Sequence, residues 1–307
     1  MMDYLYYKAI NWDEQEDQVD QATWLKLTNN FWLDTRVPIT ADQASWHALT
    51  VNQQAQIGQA LAGRALLSAF QSEIGAPALR AGRRTQQEEA VLNLITFMES
   101  VHTKAVTTIF RRLTDEKTAA GYYAWADNQE PLQEELELLV KGMQGDDLLR
   151  RGLFLIADTV LGAGFDWAVL SHPELAQTNR MLTNILTGNL IFRDYLSYKF
   201  RQGLEERSSE DQEALVAQLT ECAQTLIDLA HQQNKALLTE AGAADSLVDF
   251  QWQMLQMTLG LGDQPAETDP IAHRINQLAT RTQETTVVET IKDADATEFM
   301  QDDDYDF

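Results

Sequence analysis

Residues 94–110 read LITFMESVHTKAVTTIF, an apolar run that contains a carboxylate and an imidazole. The apolar residues recur at intervals of three and four, which predicts a helix with a buried face. Glu99 and His102 lie three residues apart, so their side chains project from the same face of that helix. Because an unpaired buried charge is costly, the two groups need partners from neighbouring elements. The run therefore predicts a helix that is buried among neighbouring elements of the fold.

The rest of the sequence predicts an all-α protein. The chain has 307 residues with only 15 Gly and 6 Pro, and strand-like alternation of useful length is absent from the sequence. Capping-box patterns begin at Thr40, Thr50, Thr85 and Ser209. We expect helices over about 51–74, 86–113, 131–143, 146–171, 175–206, 210–240 and 244–259. The first should end at Gly75, because Pro77 cannot continue it. Helices of this length favour a bundle.

Composition and charge limit the partners and the location. With a formal net charge of −24, the chain would repel a nucleic-acid backbone or an anionic membrane. Cys222 is the single cysteine and the N-terminus carries acids where a signal peptide needs bases, so we expect a cytoplasmic protein. Residues 1–262 are interpreted as one helical bundle and 263–307 as a polar C-terminal segment. Its end, 293–307, carries seven acids and no base, and we expect it to be disordered.

Several stretches together resemble a known family in their order and spacing. They are AINW at 9–12, LTNNFWLDTRVPIT at 27–40, QSEIGAPAL at 71–79, EEAVLNLITFMESVH at 88–102, YAWADNQEPLQ at 123–133 and DDDYDF at 302–307. With them the sequence resembles the small, radical-generating subunit of class Ib ribonucleotide reductase nearly from end to end. The resemblance implies an all-α, ferritin-like bundle of long helices and a homodimer. It also implies a larger partner subunit that reduces nucleotides, and a dinuclear iron or manganese centre.

The resemblance assigns roles to individual positions, and most of those positions carry unsuitable residues. Glu99 and His102 match one pair of metal ligands. The other four ligand positions fall on Ser68, Ala157, Asn189 and Phe192. The radical-bearing tyrosine falls on Val106, whereas Trp32 matches the tryptophan that relays the radical. Because a redox-active metal pair needs several carboxylates, we expect no cofactor and assign no catalytic residue. Glu99, His102 and Trp32 are then remnants of the family's site.

Two further charged residues lie close to these positions in the sequence. Asp158 follows Ala157, but one α-helical step turns a side chain by about 100°, so we expect Asp158 on another face. Arg64 lies four residues before Ser68 and projects from the same face of its helix. Two hypotheses remain open for Arg64. Either its guanidinium fills the volume of the metals in an ion pair with Glu99, alone or with His102, or it extends to solvent.

Three functions agree with these observations. The first is a non-catalytic homologue of the small subunit that acts by forming homodimers, or mixed dimers with a competent small subunit, and by binding the large subunit. The residues that would bind the large subunit are Tyr305, Asp306 and Phe307 at the C-terminus. The second is an active class Ib small subunit with an atypical radical source. The third is a remodelled bundle that binds a small apolar ligand beside Val106, Ala157 and Phe192.

Overall fold

The computed structural model of the chain describes residues 9–14, 16–82, 84–266 and 270–292, with backbone alone for 282–292. Within these ranges the regular structure is helical and contains no strand. The α-helices are α1 Gln18–Asn29, α2 Gln43–Ala48, α3 Val51–Phe70, α4 Ala76–Ala78, α5 Gln86–Leu113, α6 Glu116–Asp127, α7 Glu130–Gly142, α8 Asp147–Leu155, α9 Ala163–Leu170, α10 Ala176–Glu205, α11 Ser209–Leu237, α12 Gly242–Leu259 and α13 Pro270–Lys292. The prediction of an all-α bundle of long helices is confirmed.

Helix α5 lies at the centre of the bundle. It packs against α1, α3 and α10, while α3 also packs against α6 and α9, and α10 against α8 and α12. The buried face of α5 includes Leu92, Ile95 and Phe110, none more than 2% exposed. Burying an aliphatic or phenylalanine side chain stabilises a fold by about 1.5–3 kcal/mol. The apolar face of α5 that the sequence predicts therefore stabilises the position of this helix. Because Glu99 and His102 lie on the same helix, they are buried with it.

Helix starts follow the capping signals at two of the four predicted positions, and at a third the cap lies one residue away. Thr50 forms a reciprocal capping box with Gln53 at the start of α3. The Thr85 hydroxyl accepts a hydrogen bond from the Glu88 amide at the start of α5. Helix α11 is capped by Ser208, one residue before the predicted position. Each such cap satisfies an amide that has no partner within the helix.

The fourth signal, at Thr40, does not cap an α-helix. Thr40 lies within a short 3₁₀ turn, Ile39–Asp42, which is followed by α2. The Asp42 carboxylate instead accepts hydrogen bonds from the amides of Gln177 and Thr178, at 3.0 and 2.6 Å. It therefore caps the distant helix α10, whose own N-cap side chain makes no such bond. A cap supplied across 135 residues of sequence is invisible to a local pattern.

The expected end of the first long helix at Gly75 was also wrong. After α3 the chain continues through a π-helical turn, Gln71–Gly75, directly into α4. Pro77 lies in the first turn of α4. The wider π turn changes the backbone pairing, so the missing N–H of Pro77 no longer interrupts a regular α-helical ladder. The Gln71 amide donates to the Phe154 carbonyl at 2.8 Å, which ties this turn to α8.

The C-terminal segment contributes to the core before the described residues end. Helix α13 lies inside the segment that was set apart as 263–307, and it packs against α10 and α1. Its Ala272, Ile275 and Ala279 are buried. Residues 293–307, with the predicted partner-binding Tyr305, Asp306 and Phe307, lie outside the described residues.

One continuous helical run, Asp147–Leu170, is apolar and long enough to cross a membrane by length and composition. It comprises α8, the π-helical turn Ile156–Leu161 and α9. In the structure 89% of its most apolar stretch is buried inside the bundle. A helix in the core of a bundle can have the same length and composition as a membrane span.

Glu135 provides a test of the packing between α7 and the bundle. The residue is 1% exposed and its Oε1 has no hydrogen-bond partner among the described residues. Burial raises the pKa of its carboxyl well above the usual range. A protonated carboxyl tolerates burial better than a carboxylate. The contribution of such a group to the free energy of unfolding is therefore fully present below the unfolded-state pKa of about 4.3, and it is lost as pH rises through the folded-state pKa.

We therefore expect Glu135→Gln to gain stability relative to the natural protein as pH rises from 5 to 8.5, by about 1–3 kcal/mol. Urea unfolding at both pH values measures the change. Glu134→Gln, on the exposed side of the same helix, is the control and should show no such trend. An effect of Glu135→Gln that is equal at both pH values would contradict the prediction.

Candidate functional site

Glu99 and His102 form the centre of the site, as the sequence places them. Both lie on α5 and are at most 1% exposed, with the His102 Nδ1 3.3 Å from the Glu99 Oε2. The imidazole stacks between two aromatic rings. Its ring centroid is 6.0 Å from that of Trp32 and 6.4 Å from that of Phe192. Both rings lie nearly parallel to the imidazole, with interplanar angles of 14° for Trp32 and 28° for Phe192.

Arg64 projects from α3 into the same part of the core. It is 2% exposed, so the hypothesis that its side chain extends to solvent is wrong. Its Nε lies 3.3 Å from the Asp166 Oδ1, and its Nη2 donates to the backbone carbonyl of Asp158 at 3.2 Å. Arg64 is thus buried in an ion pair, but the predicted partner was wrong, because Asp166 rather than Glu99 contacts the guanidinium. A Cβ at Gly162 would lie 2.7 Å from the Arg64 Nη1, so glycine is what lets the guanidinium approach the chain there.

Asp158 belongs to the site, contrary to the expectation from α-helical geometry. It lies in the π-helical turn Ile156–Leu161, where the step between successive side chains differs from that of an α-helix. It is 1% exposed. Burial, and next the charge of Glu99, raise the pKa of the Asp158 carboxyl well above its usual range, against the opposing charge of Arg64. The two carboxyl groups are therefore close enough to influence each other.

The remaining charges of the site respond to one another in the same way. Burial alone would lower the pKa of Arg64, but the charges of Asp166, Asp158 and Glu99 raise it above its ordinary value. Burial raises the pKa of Asp166 to about 6, with Arg64 opposing the shift. The guanidinium thus stays charged, and the charges of all three carboxyl groups act on it.

The positions that the resemblance links to lost ligands are all buried around this cluster. Ser68, Ala157, Asn189 and Phe192 are at most 2% exposed, and Val106 is 1% exposed. The Asn189 amide donates to the same Asp158 carbonyl as Arg64, at 3.3 Å. Ala157 and Val106 belong to the continuous apolar core. Ala157, Phe192 and Val106 therefore contribute apolar packing, and Asn189 donates a hydrogen bond to the backbone.

Sequence reasoning missed two members of the site, Asp166 and Gly162. A signal for Asp166 is present in the sequence. Asp158 and Asp166 are the only charged residues between Gly152 and Leu170. An acid in an otherwise apolar helix needs a buried partner, and Arg64 is the partner that the structure provides for Asp166. Gly162 gives no comparable signal, because its role depends on a side chain 98 residues away.

Comparison with known proteins identifies the family. The family model described as ribonucleotide reductase, small chain, matches residues 9–251. The chain belongs to this family.

Individual relatives agree with this assignment. The ribonucleoside-diphosphate reductase 2 subunit beta of Escherichia coli is 32% identical over 247 residues, which are 79% of this chain and 77% of the relative. A ribonucleoside-diphosphate reductase subunit beta of Mycobacterium tuberculosis is 30% identical over 269 residues, 84% of this chain and 82% of the relative. The crystal structure of dimanganese(II)-NrdF from Streptococcus sanguinis matches with a TM-score of 0.83 at 29% identity, covering 90% of this chain and 99% of that chain. The ferritin-like fold of ribonucleotide reductase small subunits is confirmed.

The residues of this chain do not fit the dinuclear centre of the family. The Glu99 Oε1 and both Asp158 carboxyl oxygens accept no hydrogen bond from an N–H or hydroxyl donor in the described part of the chain. The Asp158 carboxyl, whose pKa is raised, is close enough to Glu99 to share its proton with that residue, so these oxygens are the atoms that could face either a proton or a cation. Yet no group of three or more His, Cys, Asp or Glu side chains there is arranged to hold a metal ion. Arg64 already places a positive charge among the carboxyl groups. Two divalent ions would meet too few donors and a fixed cation.

Proposed function

We propose that the chain is a non-catalytic homologue of the ribonucleotide reductase small subunit, which acts in deoxyribonucleotide synthesis by binding other subunits. One observation carries the proposal: the Arg64 guanidinium is buried in the core, 3.3 Å from Asp166 and close enough to Glu99 and Asp158 for their charges to act on it. A small subunit that generates a radical needs metal donors and an oxidisable side chain at this place. Here Phe192 and Val106 supply neither.

The chemistry of the four replaced ligand positions supports the same proposal. Ala157 and Phe192 have no donor atom, and Ser68 and Asn189 offer neutral oxygens, which are poor replacements for carboxylates around iron or manganese. Trp32 stacks on His102 and its Nε1 has no hydrogen-bond partner among the described residues. Its role in this proposal is that of an aromatic core residue rather than a radical relay.

An active subunit with an atypical radical source is the alternative, and one observation favours it. Tyr195 lies on α10 three residues after Phe192 and is 2% exposed. Its hydroxyl donates to the Asp20 Oδ1 at 2.8 Å. This carboxylate could accept the phenolic proton if the tyrosine were oxidised. The same carboxylate also binds Thr85 and Lys199, which gives the cluster a structural role between α1 and α10. The apolar-ligand alternative has less support, since Val106, Ala157 and Phe192 are packed in the core.

The proposed activity is tested by loading the purified protein with iron(II) or manganese(II) in the presence of oxygen. We expect far less than one metal ion per chain, no tyrosyl radical in the electron paramagnetic resonance spectrum, and no turnover with a competent large subunit. Two ions per chain with a radical would overturn the proposal. If a radical forms, Tyr195→Phe tests the alternative, with Tyr198→Phe as the control on the same helix. Loss of the signal in the first variant alone would assign it to Tyr195.

Dimer formation is the first proposed mode of binding. A two-fold interface is self-complementary, so a competent small subunit can take the place of one copy and give a mixed dimer in the cytoplasm. Light scattering at micromolar concentration should give a homodimer for the isolated chain. A monomer under these conditions would remove this part of the proposal.

The acidic C-terminus is the second proposed mode of binding, directed at the large subunit. Tyr305 and Phe307 are large aromatic residues in a segment that is too polar to bury them, and rigid aromatics of this kind anchor interfaces. Asp306 and the terminal carboxylate add charge that a receptor can recognise. Because ordering a polar segment costs entropy, the affinity of one segment should be about micromolar and should rise with two per dimer.

A synthetic peptide of residues 293–307, titrated calorimetrically into the large subunit, measures this affinity. The control is the same peptide with Tyr305 and Phe307 replaced by alanine, which we expect to lose at least about tenfold in affinity, as a hot-spot truncation of more than 1 kcal/mol would cause. Equal binding by the two peptides, or no binding by either, would contradict the proposed partner.

A further inference from the structure

We propose that the guanidinium of Arg64 is the permanent cation of the bundle core. It compensates the charge of the buried carboxyl groups, so that the folded state of this chain needs no metal ion. The inference goes beyond partner binding, although it rests on the same site as the proposed function. It follows from the mismatch between the donor set and the dinuclear centre of the family.

The first step is the position of the charge. Arg64 lies on α3, Glu99 on α5, Asp158 in the π-helical turn and Asp166 on α9, so the cation stands where four elements meet. The side chains of Arg64 and Asp166 are 3% and 4% exposed. Neither group could be buried alone, because an uncompensated charge in a core is strongly unfavourable. The burial of Arg64 therefore requires Asp166, and the burial of Asp166 requires Arg64.

The second step is that the surrounding residues are shaped for a guanidinium. Gly162 leaves room for its Nη1, since a Cβ at that residue would lie 2.7 Å away. The Asp158 carbonyl accepts from the Nη2 of Arg64 and from the Asn189 amide. A planar group with several N–H donors can contact a carboxylate and a carbonyl at once, whereas the ammonium of lysine is a compact point charge. Contacts with Asp166 and with the Asp158 carbonyl together hold the cation in one orientation.

The third step is what the cation does for the carboxyl groups. Asp166 contacts it directly, and the charges of Asp158 and Glu99 also act on it. A metal pair would bring charge compensation to a small subunit only when loaded. Arg64 brings it with the chain itself, permanently and without redox chemistry. A divalent ion approaching Glu99 would meet the repulsion of this fixed charge.

Two matched substitutions of Arg64 separate charge from packing. Arg64→Met keeps most of the volume and removes the charge, whereas Arg64→Lys keeps the charge. We expect Arg64→Met to lower Tm by about 5–15 °C, since it leaves a buried carboxylate unpaired, and Arg64→Lys to lose less than half as much. Arg111→Met, at an exposed position of α5, is the control and should leave Tm unchanged. The Tm of the natural protein should be the same with a chelator as with manganese(II).

A second pair of variants keeps the test decisive if Arg64→Met does not fold. Gly162→Ala crowds the guanidinium and should lower Tm by several degrees. Gly121→Ala, where a Cβ would meet nothing within 4 Å, should not lower it. Equal losses in Arg64→Met and Arg64→Lys, or equal effects of the two glycine variants, would overturn this inference alone. A rise in the Tm of the natural protein with manganese(II) would overturn both this inference and the proposed lack of catalysis.

Discussion

The buried ion pair between Arg64 and Asp166 is the interaction on which the centre of this protein depends. Its two partners come from α3 and α9, and its charge also reaches Glu99 on α5 and Asp158 between α8 and α9. Four elements can converge on one point because the charges there compensate one another. Without the guanidinium, three carboxyl groups would lie in an apolar core with no compensating charge from Arg64, and the charges of Glu99 and Asp166 would oppose the ionisation of Asp158. The local geometry follows from this requirement, including the glycine at 162 and the shared Asp158 carbonyl.

The stability of the bundle as a whole has a different source. The continuous apolar core runs through every long helix of the described residues, and α5 alone buries many large side chains. A metal centre destabilises such a core while it is empty, because it requires several charged ligands. The cost of burying these charges is offset only when the ions are bound. In this chain Phe192 and Ala157, at positions that the resemblance links to ligands, and Val106, at the position that it links to the radical tyrosine, belong to the continuous apolar core. The fold of the family is kept by its helices, while the chemistry at its centre has changed.

The sequence predicted the helices whose signals are local and missed the features that arise from contacts between distant residues. Helix α5 begins and ends where its apolar period and the Thr85 cap predict. Asp158 was placed on the wrong face because a π-helical turn cannot be recognised from periodicity, and Pro77 was read as a stop for the same reason. The burial of Arg64 was one of two open hypotheses, and its partner could be named only when α9 had been placed beside α3. Local patterns thus determine the elements, whereas tertiary packing determines which charges meet.

The most direct measurement for the central claim is a crystal structure of the protein grown with manganese(II) and recorded at the manganese absorption edge. The account predicts that the Arg64 guanidinium contacts Asp166 and the Asp158 carbonyl in the electron density. It also predicts no anomalous peak beside Glu99, His102 or Asp158. Two anomalous peaks about 3.5–4 Å apart at these residues, the separation of a dinuclear centre, would contradict it. So would an Arg64 side chain displaced from the core.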